Sequence, residues 1–261
     1  MAEYKIQKFP KSRIGTLDIG DMGRRKHSVV AMIEMDVTES RAKIKSYKKE
    51  VSQISFTAWL IKAISLTIKQ HSSVAAYLKG KRRIVIFNDI NISMVFEKSL
   101  DGHKIPIPLI IEKANERSIE SITAQISEAR AQEFTRNQVV LQSKPTMMEQ
   151  IYYFLPGCMR RCMWKYLLSK PKMSFGKMGN VAVTSVGMMG QVNGWFIPIS
   201  VHPICFGIGS VIKKPQVVND KIVIREMLNM TILIDHDVID GAPMARFISD
   251  LSKNIHAGIG I

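Results

Sequence analysis

Apolar residues recur at three- and four-residue spacing through Ser55–Lys69, at Leu60, Ala63, Ile64 and Ile68, and predict a helix with one buried stripe. Ser118–Arg130 carries the same pattern. His27 to Val37 alternates instead, as a half-buried strand does, and Asp36-Val37-Thr38 precedes a further helix. Strands are predicted over Arg83–Phe87 and Ile90–Phe96, on either side of Asn88-Asp89, with a turn at Asp101-Gly102. Pro106 and Pro108 confine the next run, Ile105–Ile111, to a sheet edge or an irregular strand. Val181–Ser185 reads as a strand entering a glycine-rich bend at 186–190, and Ile204–Ile212 as a buried strand. Lys213 to Lys221 reads as a turn, and Lys221–Glu226 as one arm of a hairpin whose other arm is the apolar run after it. Met244, Phe247, Ile248 and Leu251 mark the stripe of a last helix that begins near Pro243. Residues 1–22 read as an extended lead-in. The pattern is that of an α+β domain with a large mixed sheet flanked by helices.

Residues 145–178 change character. Pro156-Gly157 breaks an apolar run, and Cys158–Leu168 is helical, apolar, aromatic and basic at once. A helical pair packed on the core is the expectation there, with a lid over a pocket or a membrane-surface helix as alternatives.

Composition narrows the classes. A hydrophobic fraction of 46% over 261 residues supplies a core for one domain and excludes disorder. No apolar run reaches the length of a membrane span, and the first ten residues lack the apolar core of a signal peptide, so a cytoplasmic protein without membrane contact is expected. Cys158, Cys162 and Cys205 fit neither a disulfide framework nor a metal-site spacing. The net charge of +15 favours an anionic partner, but the basic residues are scattered and accompany no nucleic-acid motif, so neither nucleic acid nor metal is expected.

The chemistry concentrates at Thr231-Ile-Leu-Ile-Asp235-His236-Asp237-Val-Ile-Asp240-Gly241. A histidine at the end of a buried strand can be held in one tautomer and titrate near neutrality, which suits a general base acting on a thiol or hydroxyl. With the apolar strand before it and a helix beginning at Ala242 after it, His236-x-x-x-Asp240-Gly241 resembles the signature of the catalytic domain of the dihydrolipoamide acyltransferases of 2-oxo acid dehydrogenase complexes. More distantly it resembles chloramphenicol acetyltransferase. Ser55–Lys69, Ile84–Ser93, Ile105–Ile111 and Thr184–Gly187 fall in that family's order, and the resemblance covers about residues 20–255 apart from 145–178.

The resemblance implies a chloramphenicol acetyltransferase-like fold, with residues 1–22 as an extension and residues 23–261 as an acyltransferase domain carrying a helical insertion. It implies that His236 deprotonates a thiol or alcohol acceptor, which attacks an acyl thioester such as acyl-coenzyme A. Thr184 is then the expected hydrogen-bond donor to the oxyanion, with Ser185 in reserve. Asp240 completes the signature in a supporting role, paired with Arg24 (or Arg25), while Gly241 permits a tight turn before the helix. Homotrimers, or multiples of them, are implied, with His236 and Thr184 contributed by different chains. No lipoyl-bearing segment precedes the domain, so a stand-alone form is expected, with any lipoyl group on a separate protein. Asp237 stands where the lipoamide enzymes have arginine, and with Asp235 it would raise the pKa of His236 if both lay close. The alternatives are a lipoamide acyltransferase served by a separate lipoyl carrier and an inactive trimeric scaffold.

Overall fold

The computed structural model describes residues 2–6, 9, 12–80, 82–100, 103–131, 151–185 and 192–261. The bend expected at 186–190 lies outside them. A six-stranded mixed sheet organises the chain in the order β1-β8-β7-β6-β4-β5. Its strands are β1 (Ser28–Asp36), β4 (Ile92–Leu100), β5 (His103–Ile111), β6 (Val181–Ser185), β7 (Ile204–Val218) and β8 (Lys221–Asp235). β6 runs parallel to both β4 and β7, and the other neighbours are antiparallel. A small ribbon, β2 (Tyr77–Lys79) with β3 (Arg83–Val85), stands apart. β5 is an edge strand, the position in a regular sheet to which Pro106 and Pro108 confine it.

One face of the sheet is covered by helices. They are α2 (Thr38–Glu50), α3 (Phe56–Gln70), α4 (Ile119–Ala131) and α7 (Gly241–Ala257). Trp59, Ile61, Ile64 and Ile68 of α3 and Phe247 and Leu251 of α7 pack there against Phe206, Met230 and Ile232. Ser55 caps α3, its hydroxyl accepting the Ala58 N–H at 3.0 Å, so the helix starts where its apolar stripe starts.

Three elements differ from the sequence pattern. β7 continues through Lys213, Lys214 and Pro215 to Val218, and the turn shrinks to Asn219 and Asp220. Both turn residues have positive φ (50° and 60°), as a two-residue hairpin requires. Lys221–Glu226 and the apolar run after it are therefore one strand, β8, whose hairpin partner is β7. Residues 12–23 form a helix, α1 (Ser12–Gly23), rather than an extended lead-in. Its buried positions include Asp18 and Met22, one turn apart, so an acid occupies a site where the pattern calls for an apolar residue.

The third difference concerns α5 (Gly157–Leu168) and α6 (Pro171–Met178). No residue of α5 is buried, and α6 buries only Pro171 and Ser174, so the pair does not pack on the core as an apolar unit. α5 is tied to α1 by polar groups. Asp18 Oδ2 accepts from Arg160 Nε at 2.7 Å and from the Tyr152 hydroxyl at 2.5 Å, and Trp164 Nε1 donates to the Tyr152 oxygen at 2.9 Å. Among the described residues, no helix is long and apolar enough to cross a membrane, and no cluster of His, Cys, Asp and Glu could hold a metal ion.

Candidate active site

β8 is buried on both faces from Met227 to Asp235, and His236 is the first exposed residue beyond it. The backbone there is fixed on two sides. The His236 N–H donates to the His27 carbonyl at 2.9 Å and extends the β1–β8 ladder by one rung. The Asp235 N–H donates to the Pro203 carbonyl at 3.0 Å. A turn comes next, closed by Val238 N–H on the Asp235 carbonyl and by Asp237 N–H on Asp235 Oδ1, both at 3.2 Å. His236 thus projects from a pinned backbone with its imidazole in solvent.

The two acids beside it have partners of their own. Buried Asp235 bonds Lys26 Nζ at 2.5 Å, and Asp237 bonds His27 Nδ1 at 2.9 Å. Each carboxylate therefore faces a cation or a protonatable ring. Asp237 raises the pKa of His27, through the hydrogen bond first and its charge second, from an ordinary 6.5. The pair's contribution is full below pH 6.5 and is lost as pH rises through the raised value. In Asp237→Asn the His27 imidazole should titrate at lower pH by NMR; an unchanged titration would contradict the pairing.

A third histidine supports this end of the sheet. His202 meets the Met178 carbonyl through Nε2 (3.1 Å) and the Ser200 hydroxyl through Nδ1 (3.0 Å). Burial pushes its pKa down to about 4, so it is neutral in the native state. Its contribution is complete above about 6.5 and is lost as pH falls towards about 4. Replacing His202 with Asn should flatten the loss of stability across that interval, measured by denaturant unfolding at each pH.

Arg24 does not reach Asp240. Both are exposed, and among the described residues no ion pair joins them. The basic tether at this end is Lys26, two residues on, and its acid is Asp235. Asp240 occupies the N-cap position of α7 with extended backbone and no side-chain cap bond. Gly241 comes after it as the first helical residue. A Cβ added to it meets nothing within 4 Å, and its φ is not positive, so the chain's own turn does not require glycine.

The two candidate hydroxyls point to opposite faces. Val181, Val183 and Ser185 share the helix-covered face, and Ser185 lines a cavity of about 320 Å³ with Phe56, Met94, Ile208 and Leu228. Thr184 lies on the other face, opposite Gly207, which in turn pairs with Thr231. A Cβ on Gly207 would sit 2.8 Å from the Phe196 carbonyl, so glycine there lets the 192–200 segment cross that face closely. Lys26, His27 and Gly207 could not be picked out from the sequence, because their roles depend on residues far away in the chain.

The register also fixes how far Thr184 lies from His236. His236 is five residues beyond Thr231 and two strands away from β6. At roughly 3.4 Å per residue and 4.8 Å per strand, that is about 17 Å along the sheet and 10 Å across it. Within one chain the two positions are therefore roughly 20 Å apart.

A family model for 2-oxoacid dehydrogenases acyltransferase (catalytic domain) matches residues 24–140 and 169–258. The chain belongs to this family. The match omits residues 141–168, which include α5. The lipoamide acyltransferase component of the Bacillus subtilis branched-chain alpha-keto acid dehydrogenase complex is 26% identical over 230 residues, covering 85% of this chain and 45% of that protein. The chain spans about half the length of the curated relatives it matches. The cubic core of a pyruvate dehydrogenase multienzyme complex superposes with a TM-score of 0.68 at 17% identity, over 97% of this chain and 92% of that one. Chloramphenicol acetyltransferase gives 0.51 at 9% identity, over 95% and 99%. The fold is the chloramphenicol acetyltransferase-like fold that this acyltransferase family shares.

Proposed function

We propose that this chain is a coenzyme A-dependent acyltransferase in which His236 is the general base and Thr184 the oxyanion donor, the two coming from different copies of a homotrimer. The observation that carries this reading is the exposed His236 on a backbone pinned by His27 and Pro203, within the span matched by the family. In the reaction, His236 Nε2 takes the proton of the acceptor thiol or hydroxyl. The resulting nucleophile attacks the thioester carbonyl carbon, and the Thr184 hydroxyl donates to the oxyanion. As the C–S bond breaks, the departing coenzyme A thiolate recovers the proton from the imidazolium. Asp240 and Gly241 open α7 beside the base, the Asp240 carbonyl accepting the Met244 N–H at 3.2 Å. Exposed Arg24 and Arg25 bring positive charge to the same end, which suits the phosphates of acyl-coenzyme A.

Assembly is supported by surface chemistry as well as by the register. Val30 and Met32 of β1 and Trp195, Phe196 and Ile197 are exposed apolar residues around the face that Thr184 shares. Such a patch is suited to burial against another copy.

Release of free coenzyme A from a panel of acyl-coenzyme A thioesters, with dihydrolipoamide, alcohol and amine acceptors, tests the reading. Acceptor-dependent release is expected, and silence across the panel contradicts it. Release with dihydrolipoamide alone would favour the lipoamide enzyme served by a separate lipoyl protein. Thr184→Val should lower kcat by about 10²–10³-fold, as loss of one oxyanion donor does, while Ser185→Ala on the opposite face has little effect. The reverse order of the two variants would move the donor to Ser185.

A further inference from the structure

Helices on the surface of a globular protein normally turn the apolar stripe inward and the polar face outward. α5 departs from this. Its half-buried side holds Arg160 and Trp164, four apart and bonded to Asp18 and Tyr152, beside Arg161 and the pair Leu167 and Leu168, so its apolar residues are divided between the two sides. Its outward face holds two rows at four-residue spacing, Cys158-Cys162-Tyr166 and Met159-Met163, all exposed. Lys165 flanks these rows, Lys170 Nζ lies 5.6 Å from the centre of the Tyr166 ring, and exposed Lys172 and Lys177 continue along α6. No Asp or Glu occurs between Glu149 and Asp220. We propose that the outward face of α5, with the lysines after it in the chain, docks the protein on an anionic membrane surface.

Both the charge and the shape favour this occupant. A second copy meeting it with the same face would bring lysines against lysines. An acidic protein would satisfy the charge, but a convex helix with separate, flexible methionine side chains offers it no groove to fill. A fluid interface accepts such side chains one by one. Met159, Met163 and Tyr166 would enter the headgroup–acyl boundary, while the lysine stems lie along it and carry their ammonium groups to the lipid phosphates. The polar tie between Arg160 and Asp18 keeps the helix fixed with this face outward, before any lipid is met. Docking of this kind is independent of the acyl transfer proposed above.

The full chain is sedimented with vesicles of phosphatidylcholine alone and with vesicles in which about a third of the lipid is phosphatidylglycerol. Binding to the anionic vesicles only, reversed at about 0.5 M salt, is the expected result. Reversing three charges together (Lys165→Glu, Lys170→Glu, Lys172→Glu) should weaken partitioning about a hundredfold or more. Met159→Ser with Met163→Ser should weaken it about tenfold. These side chains are exposed, so circular dichroism of the variants should match the parent. Absence of binding to anionic vesicles at low salt overturns the proposal, as does partitioning unchanged by both variants. A changed oligomeric state in the methionine variant, or retention on an acidic protein without vesicle binding, assigns the face to another occupant and overturns it equally.

Discussion

His236→Ala should lower acceptor-dependent release of coenzyme A by about 10²–10⁴-fold, the range that a positioned general base contributes. The loss should fall on kcat, because the imidazole acts on the proton that moves and not on the bulk of the thioester. Stability should barely change, within about 0.5 kcal/mol, because His236 is exposed and the hydrogen bond that fixes it uses backbone N–H. A variant that folds, assembles and still turns over at the parental rate would remove His236 as the base. His236→Gln should be as inactive as the alanine variant, since glutamine offers no group that takes a proton near neutrality.

Arg160→Ala should have the largest effect on stability among the polar residues. Asp18 is 3% exposed and is neutralised by Arg160, whose side chain is 16% exposed. Removing the guanidinium leaves a buried carboxylate with, among the described residues, only the Tyr152 hydroxyl, whose own pKa is pushed up by burial and then by Asp18. Breaking one side of a buried ion pair costs about 3–5 kcal/mol, and the loss should centre on the packing of α1 against α5. Amide exchange in α1 would report it directly, with Arg161→Ala as a control that changes stability by about 0.5 kcal/mol or less. Equal exchange in the two variants would mean that the Asp18 cluster does not hold these helices together.

Elements whose burial follows a simple period were legible in the sequence. Ser55–Lys69, with its stripe at Leu60, Ile64 and Ile68, is helix α3 to within a residue or two, and the alternating stretch before Val37 is β1. Pro106 and Pro108 marked the edge position of β5 because a strand there needs no N–H at those sites. The elements that differ do so for long-range reasons. Asp18 hides α1 from any hydrophobic pattern, since its burial is compensated by Arg160, 142 residues away. Lys213, Lys214 and Pro215 look like a turn, yet Lys214 bonds Glu34 and Pro215 pairs opposite Ile224, so a two-stranded arm forms where composition suggests a loop.

The candidate site was legible in part. The position of His236 at the end of an apolar strand could be read from Thr231–Asp235, because both the strand and its end are local. The partners of Asp235 and Asp237 could not, because Lys26 and His27 come from the start of β1. Likewise, Thr184 and Ser185 are neighbours in sequence, and only the sheet assigns them to opposite faces.

Subunit complementation tests the central claim most directly. His236→Ala and Thr184→Val chains are prepared separately, each nearly inactive, then unfolded together in equal amounts and reassembled. If each site takes His236 from one chain and Thr184 from the next, a quarter of the sites in random trimers hold both native residues, and about a quarter of the parental activity should return. A mixture that remains as inactive as its two parents, although the chains have co-assembled, would contradict a site shared between copies.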